Sequence, residues 1–185
     1  MTCFYLIRHA DSPWSPDEQR PLSTRGLAQA AAVADVMTSG AASYDAIYSS
    51  TYRRAYETVF PLAQRLTLNI RMTNELCERR LAGAPVDNFL GAVAATWRDP
   101  TKALTGGESN ADAQRRGVAL IDRLRRRYPD GSLVLSTHGN LLALVLQHFD
   151  PTVDFDFWQG LTMPDIYVLQ LDGADSEISR IWDRS

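Results

Sequence analysis

Cys3-Phe4-Tyr5-Leu6-Ile7-Arg8-His9 is an apolar run that ends abruptly in a guanidinium and an imidazole. Read as a strand, it places both groups where the chain leaves a sheet, and the carboxyl ends of strands are where α/β sheets bind ligands. Arg offers a rigid fork of donors for an oxyanion, and His can act as a nucleophile. Alone, the pair is equally a strand capped by two surface polar residues. A second stretch repeats the pattern: Leu133-Val134-Leu135-Ser136-Thr137 is again apolar and β-branched, and it delivers His138-Gly139 ahead of a helical stretch from Leu141 to His148. The chain holds three histidines, and two of them stand at strand ends.

Outward from these two runs, strand-like and helix-like segments alternate. Ser23 is placed to cap a helix running to about Met37, after a polar loop over Asp11–Arg20. Asp45–Ser49 reads as a short strand, Tyr52–Leu66 as a helix, and Leu68–Met72 as a third strand. Glu75–Gly83 has no period, and Val86–Trp97 is helical. After the Thr105-Gly106-Gly107 turn, Ser109 and Asp112 resemble a capping box that opens a helix to about Tyr128. Pro129-Asp130-Gly131 turns the chain into the His138 strand. Ile166–Leu171 and Ile178–Trp182 are late strands, readable as a hairpin about Asp172-Gly173. Repeated β-α units predict an α/β fold, a three-layer α/β/α sandwich whose mostly parallel central sheet has helices on both faces.

Composition narrows the function. With 185 residues, 45% of them hydrophobic and 22% charged, the chain suits a single domain over residues 1–185 with a substantial core. A net charge of −3 argues against an electrostatic grip on nucleic acid or an anionic membrane. Arg115, Arg116, Arg123, Arg125, Arg126 and Arg127 cluster locally, and at helical spacing they read as a solvated face. Cys3 and Cys77 are far apart and form no metal spacing, as expected of reduced thiols in a cytoplasmic protein. Arg8 follows the first apolar residues rather than preceding them, the wrong order for a signal peptide, and no apolar run approaches bilayer length. No metal and no other cofactor is expected.

A third segment carries chemistry. Ser49-Ser50-Thr51-Tyr52-Arg53-Arg54 sets hydroxyls and two arginines where a strand passes into a helix, a place that already favours anions. The residues alone do not choose between Arg53 and Arg54, or between Glu75 and Glu78 as an acid.

Together the segments resemble the histidine phosphatase superfamily, with its phosphoglycerate-mutase-like fold. The matching stretches are Leu6-Ile7-Arg8-His9, Pro21 to Ala30, Ser49-Ser50 with Arg54-Ala55 and Thr58, Leu76-Cys77-Glu78, Gly106-Gly107-Glu108-Ser109, and Ser136-Thr137-His138-Gly139. They occur in the family's order and cover most of the chain to about residue 145. The resemblance implies a phosphomonoesterase in which His9 attacks phosphorus and carries a phosphohistidine. It implies that Arg8, Arg54 and His138 surround the phosphoryl oxygens, with His138 best protonated, as a dianionic phosphate next to it would favour, and that Gly139 belongs to the same anion site. Glu78 matches the proton donor to the leaving oxygen, because it follows Leu-x, and Arg54 is preferred to Arg53 because it precedes Ala. Glu108 matches an element expected to order the fold.

Ala10 stands where the family usually has Gly, which predicts a narrowed pocket floor. Trp14-Ser15 stands where many members have Trp-Asn, so Ser15 is a candidate phosphate contact of shorter reach. The Asp17 to Leu22 stretch is closer to the short phosphohistidine-phosphatase branch, whereas Leu76-Cys77-Glu78 and Gly-Gly-Glu-Ser resemble the mutase and small-molecule phosphatase branch. The expected partner is a small phosphomonoester, and neither its identity nor the oligomeric state is legible. Phosphoglycerate mutase is the alternative enzyme, but a mutase normally has a longer insertion than the short cap-like one at about 84–105. The pattern also leaves room for a protein phosphohistidine phosphatase or for a non-catalytic phosphate-binding protein. Phe155, Phe157 and Trp158 read as core or rim packing, or as a wall of the substrate pocket.

Overall fold

The computed structural model describes residues 1–40 and 42–183. Six strands and six helices follow in the order β1 (Thr2–Arg8), α1 (Thr24–Thr38), β2 (Ala46–Ser50), α2 (Arg53–Leu66), β3 (Ile70–Thr73), α3 (Phe89–Arg98), α4 (Asn110–Arg127), β4 (Ser132–Thr137), α5 (Gly139–Phe149), α6 (Phe155–Gly160), β5 (Asp165–Asp172) and β6 (Asp175–Arg180). One sheet holds all six strands in the order β3-β2-β4-β1-β5-β6. The first four run parallel, and β5 and β6 are antiparallel to their neighbours. This is the mostly parallel α/β/α sandwich that the alternating runs predict.

Side-chain alternation along the strands builds the two interfaces. Phe4 and Leu6 of β1 and Leu133 and Leu135 of β4 face α4 and α5, where they join Leu120, Ile121 and Leu141 in one core. Ile7, Ile47 and Val134 point the other way, onto Val33 and Met37 of α1 and Val59 and Leu62 of α2. Both faces are therefore dry, and the central strands read as unbroken apolar runs for that reason.

Several elements differ from the sequence expectation: α3 begins at Phe89 rather than Val86 because Asn88 caps it, and α5 begins at Gly139, two residues ahead of Leu141. β3 starts two residues late because α2 ends on Thr67 in the left-handed conformation (φ 54°), which spends Leu68 and Asn69 on the turn. β6 begins at Asp175, before its apolar residues, because edge pairing with β5 orders the polar stretch. α6 has no counterpart in the sequence reading; six residues capped by Asp154 are too few to display a period. Nor is Arg116 part of a solvated face. It is half-buried, it pairs with Glu108 (2.7 Å), and it donates to the carbonyls of Glu75 and Cys77 (2.8 Å each). No helix among the described residues is long and apolar enough to cross a membrane.

The parallel register of β1 and β4 decides what the sheet presents. Arg8 lies opposite Thr137, and the His9 N–H donates to the Thr137 carbonyl at 3.0 Å, so the two strand-end histidines emerge side by side.

Candidate active site

A cleft of about 560 Å³ opens at the carboxyl ends of β1, β2 and β4, lined among others by Arg8, His9, Arg54, Glu78 and Gly139. His9 is almost wholly buried, and its Nδ1 lies 2.7 Å from the Ala10 carbonyl. A carbonyl accepts only, so Nδ1 carries the hydrogen and Nε2 keeps its lone pair. Nε2 in turn accepts from Arg54 Nε at 3.2 Å. Burial first, then the charge of Arg54, push the His9 pKa down to about 3, so the ring is neutral at physiological pH. The site thus holds a neutral imidazole whose unprotonated nitrogen is paired with Arg54, one of the cationic groups that would draw in an anion.

His138 stands directly behind, its ring 5.1 Å from His9 and fully buried. Its Nε2 is 2.8 Å from Ser50 Oγ, whereas Nδ1 is buried with no hydrogen-bond partner among the described residues. Burial, followed by His9 and Arg54, holds its pKa well below the ordinary value. Without an anion in the cleft the ring is held neutral, first by burial and then by the positive charges around it; the protonated His138 expected from the resemblance belongs to the phosphate-bound state.

Arg54 is buried at the start of α2 and also donates to the Glu18 carbonyl at 3.2 Å, whereas Arg53 points outward to Glu57. Arg8 is aimed by the carbonyls of Leu161 and Thr162 at 2.8 and 3.2 Å. Gly139 is what lets Arg8 lie there. A Cβ at 139 would fall 2.9 Å from Arg8 Nε and 3.0 Å from its Cζ, so any side chain would displace the guanidinium.

Glu78 caps α5 from across the cleft. Its Oε1 accepts from the N–H groups of Leu141 (3.0 Å) and Arg79 (2.8 Å), and its Oε2 from that of Asn140 (3.1 Å). A carboxylate there satisfies amides that the helix leaves open and suits the positive end of its dipole. The segment carrying Glu78 is clamped by Arg116 and by Thr137 Oγ1, which donates to the Leu76 carbonyl at 2.8 Å. Gly107 lets that segment pass, since a Cβ there would meet the Leu81 carbonyl oxygen at 2.2 Å. Glu75 lies outside the cleft lining, bound to Arg123 through both carboxylate oxygens (2.8 and 2.6 Å).

The structure does not bring Ser15 to this group. Ser15 Oγ accepts from the Asp17 N–H and the Ser15 carbonyl accepts from Arg20; Ser12 and Trp14 line the cleft instead. Nor does Ala10 narrow the floor, because its methyl packs into the interior with Leu22 and Ala30. Trp158 lines the cleft, with Phe155 stacked on it at 5.5 Å.

Sequence reading missed Arg20, Tyr52, Arg79 and Asn140 as cleft residues. Arg20 and Tyr52 lie in stretches already singled out, but nothing in their spacing marks an inward direction. Five arginines and two glutamates line the cleft, a positive pocket in a chain of net charge −3.

Buried histidines that stay neutral give a pH signature. Above pH 6.5 His9 is neutral in both folded and unfolded chains; below it, the unfolded chain takes up a proton that the folded chain refuses until about pH 3. Stability is therefore lost as pH falls through that window, by about 2 kcal/mol for His9 between pH 6.5 and 5. His138 adds a loss of the same sign. In urea titrations, His9→Gln is expected to shrink the loss between pH 7 and 5 by that amount; an unchanged pH dependence would contradict a neutral buried His9.

The sequence profile described as histidine phosphatase superfamily (branch 1) matches residues 4–183. Glucosyl-3-phosphoglycerate phosphatase of Mycobacterium tuberculosis is 34% identical over 159 residues, spanning 75% of this chain and 70% of the relative. Phosphoserine phosphatase 1 of Hydrogenobacter thermophilus is 27% identical over 152 residues, spanning 75% and 71%. Among solved structures, native mycobacterial glucosyl-3-phosphoglycerate phosphatase superposes with a TM-score of 0.79 at 26% identity over 99% of both chains. The same enzyme in complex with VO3 gives 0.80 at 26% identity, again over 99% of both. Profile, relatives and fold agree with the cleft geometry, and the chain belongs to branch 1 of the histidine phosphatase superfamily.

Proposed function

We propose that the chain is a metal-independent phosphomonoesterase acting on a small phosphorylated metabolite in the cytoplasm, through a phosphohistidine formed on His9. The observation that carries this reading is the state of His9: Nδ1–H is fixed on the Ala10 carbonyl, so Nε2 is a neutral, preoriented nucleophile beside Arg54. Once a bound phosphoryl oxygen takes over the Arg54 Nε–H donor, the Nε2 lone pair is released, and its attack forms an N–P bond and breaks the bond from phosphorus to the ester oxygen. Water then attacks phosphorus, returning Nε2 and releasing inorganic phosphate.

Arg8 and Arg54 supply fixed positive charge where the equatorial oxygens gain negative charge, the preorganised form of stabilisation that is worth most in a cleft shielded from water. His138 Nδ1, unpartnered, is the further donor once an anion arrives. A dianion next to His138 opposes the burial and the flanking positive charges that keep it neutral, so binding and proton uptake are coupled. Glu78 gives a proton to the leaving oxygen and then takes one from the attacking water. The segment 84–105, through Phe89 and Val93 of α3, forms the cap side of the cleft that meets the leaving group. A phosphatase needs no larger cap, because its product leaves; a mutase has to retain and turn its substrate. The relatives' names, both of phosphatases, support the same side.

The test is turnover of phenyl phosphate by purified protein. Activity is expected to persist in excess chelator, with unchanged kcat, and to be inhibited by vanadate in competition with substrate. Loss of activity in chelator, restored by a divalent ion, would overturn the metal-independent mechanism. No turnover of any phosphomonoester would overturn the enzyme reading.

A further inference from the structure

The charge of Arg8 is available to a phosphoryl group only if nothing in the chain takes it first, and a buried carboxylate stands close by. Asp165 lies directly opposite Arg8 in the antiparallel pairing of β1 and β5, so the two side chains share one face of the sheet. Asp165 is fully buried, and with Glu78 it opposes the lowering of the Arg8 pKa by burial, so its charge reaches the guanidinium. A buried carboxylate with an arginine across the ladder is the ordinary setting for an ion pair. Arg8 makes none. Among the described residues it donates through Nη1 alone, to the Leu161 and Thr162 carbonyls, which leaves the edge of the fork formed by Nε and Nη2 without a partner in the chain.

Arg180 is what occupies Asp165. It stands on β6, across β5 from Arg8, with a side chain 40% exposed and outside the cleft lining. Its Nε donates to Asp165 Oδ1 at 2.8 Å and its Nη2 to Oδ2 at 3.2 Å. The N–H of Ile166 donates to Oδ1 at 3.1 Å and that of Thr162 to Oδ2 at 2.9 Å, so each oxygen already accepts twice. We propose that Arg180 is a positioning residue for phosphate binding: by saturating Asp165 it keeps that carboxylate from drawing Arg8 out of the cleft. This rests on the phosphatase reading above and adds to it a residue remote from the bound phosphate. Without Arg180, Asp165 has an open acceptor site on each oxygen and an uncompensated charge in the interior, and Arg8 is the guanidinium across the ladder. The peptide that aims Arg8 is tied to the same pair. Thr162 donates its N–H to Asp165, accepts from Arg180 Nη2 at Oγ1 (3.2 Å), and accepts from Arg8 Nη1 at its carbonyl.

The experiment measures the inhibition constant of inorganic phosphate against hydrolysis of phenyl phosphate, a binding constant that does not depend on how much of the sample is folded. Arg180→Met is expected to raise it by about tenfold or more, the size of one charge-assisted contact to phosphate. Arg180→Lys, which keeps the charge without the fork, is expected to fall between. The discriminating comparison makes the same change on Asp165→Asn. With no carboxylate competing for Arg8, Arg180→Met is expected to raise the constant there by less than about twofold, so the two substitutions are coupled. A loss of equal size in both backgrounds would assign Arg180 to the fold of the 161–165 turn, and an unchanged constant in Arg180→Met would show that Asp165 does not compete; either result overturns the proposal. Where Arg180→Met gives no folded protein, Arg180→Lys in the two backgrounds decides by the same comparison. If wild-type protein hydrolyses phenyl phosphate and the coupling is absent, this inference fails alone; if wild-type protein hydrolyses no phosphomonoester, the phosphatase reading fails with it.

Discussion

His9→Ala is expected to lower phosphatase turnover by about four orders of magnitude or more, the scale on which loss of a covalent nucleophile acts. His9 alone combines an unprotonated ring nitrogen, a fixed tautomer and a place in the cleft lining. His138 does not substitute for it, because its Nε2 is engaged with Ser50 Oγ and its ring stands behind that of His9. The fold is expected to survive, because the change removes a ring beside the cleft and no backbone pairing of β1. Removing the ring also removes an acceptor from Arg54 Nε, which then faces the cleft with one more open donor. His9→Ala is therefore expected to bind sulfate or phosphate while failing to turn over. A variant with near wild-type rate would show that attack comes from another group.

Glu78→Gln carries the second large effect, and it is a difference between substrates. General acid catalysis contributes about 10²–10⁴-fold when the leaving group needs a proton. Of the two carboxylate oxygens, Oε1 already accepts from two N–H groups and Oε2 from one, so Oε2 has the spare lone pair on which the transferred proton can ride. Glu78→Gln is expected to slow alkyl phosphates by about 10²-fold or more and activated aryl phosphates far less, since a phenolate departs with little help. Because Glu78 also caps α5, the variant is expected to lose about 1 kcal/mol of stability. The rate ratio between substrates is insensitive to that loss. Glu75→Gln, whose carboxylate is occupied by Arg123, is expected to leave the ratio unchanged. The opposite pattern would move the acid to Glu75.

The runs that became β1 and β4 are legible in the sequence because both strands are buried on two faces, and the histidines are legible because strand ends are where such runs stop. α6 is invisible at six residues, and β6 starts at Asp175 rather than Ile178 because its pairing partner, rather than its own apolar content, orders it. At the site, Arg8, His9, Arg54, Glu78 and Gly139 are legible as members of ordered motifs. Ser15 is not, because the loop after β1 turns its hydroxyl onto Asp17. The charge state of ligand-free His138 is not legible in the sequence, because the burial and flanking cations that hold it neutral are properties of the packed cleft. Arg79 stands next to a motif residue, yet whether it lies inside or outside depends on how residues 77–83 pass beneath Gly107.

The most direct test of the account is the position of the phosphoryl group during turnover. Protein mixed with excess phenyl phosphate, quenched in alkali and digested without acid, is expected to carry one phosphoryl group on the peptide containing His9, bonded to ring nitrogen Nε2. That group should be alkali-stable, acid-labile and absent from His9→Ala. A phosphoryl group found on another residue of an active enzyme, or direct transfer to water with no covalent protein intermediate in single-turnover experiments, would contradict it.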